Sequence, residues 1–290
     1  MFPILETKEI AKNVFLQKIR APRVAKKRKA GQFLVLRRTD DGERIPLTIV
    51  SSDAAEGSVT IIFQAVGKST TEFARMKQGD AYLDVVGPLG LATHIEKFGT
   101  VVGIGGGIGA APLLPIATAI KEAGNRLLSI VGARTKDLLI LEDEMRAVSD
   151  EIVVTTDDGS YAKKGFVTTA LQEFIDRGEK IGLCIAIGPV PMMRAVAEVT
   201  RPHGIRTMVS LNPIMVDATG MCGACRVTVG GTTKFVCVDG PEFDGHQVDF
   251  KELVMRNRAY LREEKTAMER IEHRDGKCMG GAAVSAGGGK

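Results

Sequence analysis

The sequence predicts an α/β plus β protein. An antiparallel β-barrel is expected over residues 1–97, a parallel-sheet nucleotide-binding domain over 98–208, a small cysteine-bearing module over 209–250, and a charged helix with a flexible tail over 251–290. Three observations carry this. Short β-branched runs separated by polar turns fill the first third of the chain. Near residue 98 the pattern changes to strands alternating with helical stretches. Beyond that, Cys222, Cys225 and Cys237 fall within sixteen residues. A length of 290 residues accommodates two domains and a small extra module.

In the first third, Phe33-Leu34-Val35-Leu36, the run 45–50 and the run 59–63 read as strands. Asp40-Asp41-Gly42 and Ala55-Glu56-Gly57 supply the turns between them. That spacing suits a small antiparallel barrel. Lys18, Arg20, Arg23, Lys26, Lys27, Arg28 and Lys29 form a basic run with no acid inside it. It reads as a solvated hairpin, with a docking surface for an acidic partner as the alternative. From residue 98, strands are predicted over 100–104, 127–131, 151–155 and 182–187. Helices are predicted over 113–122, 141–148, 167–177 and 191–201. This alternation implies a parallel sheet with helices on both faces. Glycine, cysteine and short β-runs mark 209–250. A charged helix is expected over 250–273, and the glycine-rich end 280–290 is expected to be disordered.

Composition excludes several classes. At 44% hydrophobic and 26% charged residues the chain is not intrinsically disordered. A net charge of +4 is too mild to imply nucleic acid, and with no tryptophan and three tyrosines there is little to stack on bases. Five cysteines are too few, and odd in number, for a secreted disulfide scaffold. Glu6, Lys8 and Glu9 interrupt the N-terminus before an apolar stretch forms, so no signal peptide is expected. The uncharged run 98–120 is long enough to span a membrane. Its six glycines and two prolines fit a strand–turn–helix better. A cytoplasmic protein without membrane or nucleic-acid partners is therefore expected.

Two features carry chemistry. The turn containing Gly105, Gly106, Gly107 and Gly109 joins a strand to a helix, where bare amides can hold a pyrophosphate. It departs from the Rossmann fingerprint, because with Gly103 and Gly105 as the first two glycines Ile108 stands at the third position. A purely structural tight turn is the alternative. Asp157, Asp158 and the Gly188-Pro189 pair follow later strands, at the sheet edge where open α/β folds bind ligands. The stronger signal is Asp217-x4-Cys222-x2-Cys225-x11-Cys237. Plant-type [2Fe–2S] proteins space their first three ligands as C-x4-C-x2-C, with a distant fourth cysteine. Aspartate at the first position carries the same single negative charge as a thiolate. Gly220 and Gly223 let the chain wrap such a cluster with its amides aimed at sulfur. A zinc site is the alternative. Cys278 is a rival fourth ligand, while Cys184, in a buried strand, reads as core.

These residues resemble ferredoxin–NADP reductase-type flavoproteins, and more narrowly the iron–sulfur electron-transfer subunits of dihydroorotate dehydrogenase and their relatives. The resemblance spans nearly the whole chain. It rests on Gly31-Gln32-Phe33, Arg44-Ile45-Pro46-Leu47-Thr48, Val66-Gly67-Lys68-Ser69-Thr70, Gly87-Pro88-Leu89-Gly90, the 105–112 turn, Thr156-Asp157-Asp158-Gly159-Ser160, Gly188-Pro189, and the cysteine motif followed by Asp239-Gly240-Pro241. It implies that the barrel binds FAD. Ile45, Pro46, Leu47 and Thr48 would line the isoalloxazine, with Thr48 near flavin N5. Phe63, Gln64, Ala65, Ser69 and Thr70 would meet the ribityl and pyrophosphate groups. Many relatives place arginine directly before the proline, where this chain has Ile45, and Arg44 stands one residue earlier.

Asp217, Cys222, Cys225 and Cys237 would hold a [2Fe–2S] cluster by the same resemblance. The aspartate points to the ferredoxin:NADP oxidoreductase small-subunit branch, since the dihydroorotate branch uses four cysteines. The resemblance further implies NAD(H), with NADP(H) as the alternative, and an oxidoreductase heterodimer. In it, this chain would exchange electrons with a larger flavin and iron–sulfur subunit, and through that subunit with ferredoxin. A free-standing ferredoxin–NADP reductase and a zinc-binding interaction module are the competing readings.

Overall fold

The computed structural model describes residues 1–280. The first sheet contains β1 (Phe2–Ala11), β2 (Val14–Arg20), β3 (Phe33–Arg37), β4 (Ile45–Asp53), β5 (Ser58–Gln64), β6 (Ala81–Tyr82) and β7 (Asp84–Leu89). They run in the order β6-β1-β2-β5-β4-β3-β7 with every pairing antiparallel, a nearly closed barrel. Its core holds Phe63, Phe73 and Tyr82, with the last two rings edge to face at 5.0 Å. Gln17, the polar side chain buried among them, is satisfied. It accepts from the Tyr82 hydroxyl at 2.6 Å and donates to the Phe73 carbonyl at 2.9 Å.

The all-β expectation for this region needs a correction, because α1 (Pro22–Lys27) and α2 (Lys68–Ala74) interrupt it. The basic run is not a hairpin either. Lys18 and Arg20 lie on β2, while Arg23, Lys26 and Lys27 lie on α1. Pro22 presets the first helical turn, and Val24 and Ala25 pack into the barrel core, leaving the charges outside.

The second sheet follows from β8 (Thr100–Gly106), α3 (Ala110–Glu122), β9 (Arg126–Ala133), α4 (Glu142–Val148), β10 (Glu151–Thr156), β11 (Lys163–Lys164), α5 (Val167–Asp176), β12 (Ile181–Ile187), α6 (Val190–Thr200) and β13 (Thr207–Ser210). Side chains alternate across it. Val101, Leu127, Leu183 and Ile185 meet α3 and α4, whereas Val102, Leu128, Cys184 and Ala186 meet α5 and α6. Burial pushes the Cys184 thiol up to about 12, so it behaves as an inert core group. The α3 face also contacts Val14, Val50 and Ile62, which seats the barrel against this domain.

The chain then forms β14 (Arg226–Val229), β15 (Thr232–Phe235), α7 (Val236–Asp239), β16 (Glu242–Asp244), α8 (Phe250–Arg256) and α9 (Leu261–Gly280). The second sheet has the order β11-β10-β9-β8-β12-β13-β16, parallel except for β16 on the edge. The cysteine-bearing segment is thereby stitched into the second sheet. The order reverses between β9 and β12 on either side of β8, so a crevice opens at their C-terminal ends. The single helix expected over 250–273 is broken after Arg256, and Asp249 caps its first part by accepting the Glu252 amide at 2.9 Å. Residues 281–290, expected to be disordered, lie outside the described residues, as does the side chain of Cys278. Among the described residues no helix is long and apolar enough to cross a membrane.

The cysteine-bearing segment also docks on the barrel. The Leu91 amide donates to the Gly240 carbonyl at 2.7 Å, and the Thr93 hydroxyl donates to Glu242 Oε1 at 2.6 Å. Gly31, at φ +80°, leaves room for that pair, since a Cβ there would stand 2.2 Å from Thr93 Oγ1. Burial pushes the Glu242 carboxyl above the usual carboxylate range, and the Thr93 hydrogen bond pulls it part of the way back. A raised folded-state pKa means that the charged form opposes folding, so wild-type stability falls as pH rises through the interval above the unfolded value. Glu242→Gln keeps an acceptor for Thr93 without the charge. It is expected to melt higher than the wild type at neutral pH, with the gap closing toward pH 4. A gap independent of pH in thermal melts would refute this.

Candidate functional site

A cavity of about 1020 Å³ opens at the crevice, and three parts of the chain wall it. The barrel contributes Pro46, Leu47 and Thr48 from β4, Phe63 and Gln64 from β5, and Thr70 from α2. The nucleotide domain contributes Gly106, Gly107 and Gly109, then Arg134, Asp157, Phe166, Gly188 and Pro189. The third wall, 210–213 with Met215 and Pro241, comes from the segment leading into the cysteine loop.

Other residues singled out from the sequence lie off these walls. Arg44 is exposed to solvent, and Ile45 packs against the barrel core. The Ala65 amide bonds the Asn13 carbonyl at 2.8 Å. Ser69 is buried, and its hydroxyl donates to the Glu43 carboxylate. Asp158 is exposed and accepts the Ser160 amide at 2.9 Å, which holds its carboxyl below the usual range. Gly105 faces helix α3, where a Cβ would stand 2.9 Å from the Ala110 Cα.

The glycine turn serves both packing and access. A Cβ on Gly109 would lie 2.1 Å from the Ile187 carbonyl oxygen, and one on Gly106 would lie 2.3 Å from Met192 Sδ. These glycines let the turn lie flat on the 187–192 segment. Gly107 differs: at φ +55° it faces open space, with nothing within 4 Å of a built Cβ. Sequence reasoning did not reach Phe166, which is 64% exposed although it walls the cavity. It also did not reach 210–213. For Phe166 no signal existed; for 210–213 the break at Pro213 was the available one.

In the cysteine loop, left-handed backbone at Ala218 (φ +59°), Gly220 (φ +83°) and Gly223 (φ +68°) coils the chain tightly. Asp217 accepts the Thr219 amide at 3.0 Å and the Cys222 amide at 2.8 Å, which holds its carboxyl below the usual range. Cys222 is exposed, and its Sγ accepts the Ala224 amide at 3.5 Å. Cys225 and Cys237 are buried, with the Cys237 amide donating to Cys225 Sγ at 3.4 Å. Burial, reinforced by the neighbouring Cys225, pushes the Cys237 thiol up to about 12.

The four side chains thus fall into an outer pair, Asp217 with Cys222, and an inner pair, Cys225 with Cys237. Among the described residues, no three His, Cys, Asp or Glu side chains converge on a single-ion site. Four ligands in two pairs are the number that a two-iron cluster would take.

Comparison with known proteins bears on both regions. Residues 212–249 match the iron-sulfur cluster binding domain of dihydroorotate dehydrogenase B, and residues 104–198 match the oxidoreductase NAD-binding domain. The dihydroorotate dehydrogenase B (NAD(+)) electron transfer subunit homolog of Thermotoga maritima is 49% identical over 268 residues, covering 92% of this chain and 94% of that one. The corresponding electron transfer subunit of Streptococcus pneumoniae strain R6 is 34% identical over 248 residues, covering 83% and 94%. A chain in the structure of the NADH-dependent reduced ferredoxin-NADP oxidoreductase, described for flavin-based electron bifurcation, superposes with a TM-score of 0.89. It is 48% identical, covering 93% of this chain and 98% of that one.

Proposed function

The chain belongs to the family of dihydroorotate dehydrogenase B electron-transfer subunits and their homologues, and on that premise we propose that it passes electrons between NAD(H), FAD and a [2Fe–2S] cluster, to or from a larger partner subunit. The observation that carries the reading is the continuity of the third wall. Met215 lines the cavity and Asp217 begins the cysteine loop. Two residues span at most about 7 Å, so a group in the cavity and a group in the loop are neighbours.

A flavin supplies the link, since it exchanges a hydride with nicotinamide and single electrons with an iron–sulfur centre. In this reading Pro46, Leu47, Thr48, Phe63, Gln64 and Thr70 hold the flavin. Gly106, Gly107, Gly109, Gly188 and Pro189 keep the dinucleotide path free of side chains, so the nicotinamide can approach face on. Asp217 with Cys222, and Cys225 with Cys237, hold the cluster. NAD(H) is assigned over NADP(H) on family grounds, since the Thermotoga and Streptococcus relatives are NAD(+) electron transfer subunits.

A partner is supported by the surface around the loop. Val216, Met221 and Val238 flank the cysteine pairs and are 52%, 86% and 41% exposed, an apolar rim that a second subunit would cover. In the family relatives named above the chain is an electron-transfer subunit, which fits that rim.

The test is the absorption spectrum of the anaerobically purified protein. Flavin bands over a broad iron–sulfur background are expected, bleached at least tenfold faster by NADH than by NADPH. A colourless protein that contains zinc would sink the reading.

A further inference from the structure

The peptides between Cys222 and Cys225 are held from outside by two arginines. Arg226 Nη1 donates to the Gly223 carbonyl at 3.2 Å, where its own backbone amide also points, at 3.3 Å. Arg256 Nη2, reaching over from the last turn of α8, donates to the Ala224 carbonyl at 2.9 Å. In a trans peptide the C=O and N–H point in opposite directions. Fixing the Gly223 carbonyl outward therefore turns the Ala224 amide inward, and that amide meets Cys222 Sγ at 3.5 Å. Holding the Ala224 carbonyl fixes the Cys225 amide in the same way. Arg256 is half-buried, and its Nε is a buried donor with no protein partner. The next residue, Asn257, reaches the carbonyl of Asn212 on the cavity wall at 3.5 Å. One helix end thus braces both the cysteine loop and the third wall of the cavity.

We propose that Arg226 and Arg256 act as a positioning clamp that orients the loop amides toward the cluster and raises its reduction potential. The inference rests on the cluster reading above. A [2Fe–2S] centre with four anionic ligands becomes more negative on reduction, so a fixed cation and sulfur-directed amides stabilise the reduced form more than the oxidised one. Arg256 contributes more than Arg226, because Arg226 is exposed and its charge is screened by solvent and salt.

The experiment is an EPR-monitored potentiometric titration of the full-length, cluster-loaded protein. Arg256→Gln is expected to shift the reduced-to-oxidised ratio about tenfold toward the oxidised form at a given potential, ~59 mV lower for a one-electron couple. Arg226→Gln is expected to shift it the same way by less, and Arg256→Lys, which keeps the charge but not the fork, to fall between Arg256→Gln and the wild type. A midpoint equal to or above the wild type in Arg256→Gln overturns the clamp. If Arg256→Gln does not retain the cluster, Arg256→Lys decides: a midpoint below the wild type supports the clamp, and an unchanged one overturns it. A wild-type protein that shows flavin but no iron–sulfur signal overturns the cluster reading itself, and the clamp with it.

Discussion

Alanine at Cys225 is expected to abolish cluster loading, taking the iron-to-flavin ratio from two to near zero while flavin content holds. The expectation follows from the pairing in the loop. Cys225 is 2% exposed and packs with Val227, Val236 and Cys237 inside the same core that carries α5 and α6. Its sulfur is fixed from behind by the Cys237 amide. An inner iron would have only these two protein ligands; among the described residues the one thiol outside the loop is Cys184, buried in β12. The fold itself should survive, because Cys→Ala removes a single heavy atom and single substitutions cost about 1 kcal/mol on average. A circular dichroism melt alongside the iron assay separates loss of ligand from loss of fold.

The outer pair should behave differently. With Asp217→Ala the Cys222 amide loses its acceptor, yet the inner pair remains, so a labile cluster lost on desalting is the expected result. Iron that stays bound in Asp217→Ala would move the fourth ligand elsewhere. Iron that stays bound in Cys225→Ala would remove the two-pair arrangement altogether.

How much of this was legible in the sequence differs from region to region, for physical reasons. The doubly covered sheet could be read because runs such as 127–131 and 182–187 are apolar on both faces, which only burial on both sides tolerates. The short helices of the barrel could not. In α1 the apolar content is Val24 and Ala25, too short a stretch to show a period, and the surrounding charges favoured a hairpin reading. The cysteine spacing was legible because ligand geometry restricts it locally.

The third cavity wall was not legible. Leu211 and Pro213 are buried, and Met215 packs against the same core, so from sequence alone 210–215 looks like a connection between modules. Its role as a wall arises only when β16 pairs with β13 and draws Pro241 alongside, a contact across about thirty residues. At Ser69 a long-range contact is equally invisible: its hydroxyl donates to Glu43, 26 residues away, which the local motif does not show.

The glycine turn is where the local and the functional readings compete most directly, and Gly109→Ala separates them. A Cβ at this position meets the Ile187 carbonyl oxygen at 2.1 Å, its carbon at 2.6 Å and the Gly188 Cα at 2.9 Å, all backbone atoms of the facing loop. No side chain can rotate away, so the turn and the 187–189 loop must part. Overpacking of this kind costs about 1–3 kcal/mol. Parting them also displaces Gly188 and Pro189 from the cavity wall, and NADH affinity is expected to fall at least tenfold while flavin remains on the barrel side.

A control that loses stability through backbone strain and not through overpacking is Gly124→Ala, beyond the end of α3, at φ +81° with nothing within 4 Å of a built Cβ. A non-glycine residue in the left-handed region costs about 1–2 kcal/mol, so this variant should lose comparable stability and keep NADH binding. Fluorescence titration of NADH beside thermal melts reads both quantities. Equal NADH affinity in the two variants would reduce the 105–109 turn to packing alone. A loss confined to Gly109→Ala makes the close approach of two bare backbones the feature that shapes the dinucleotide site.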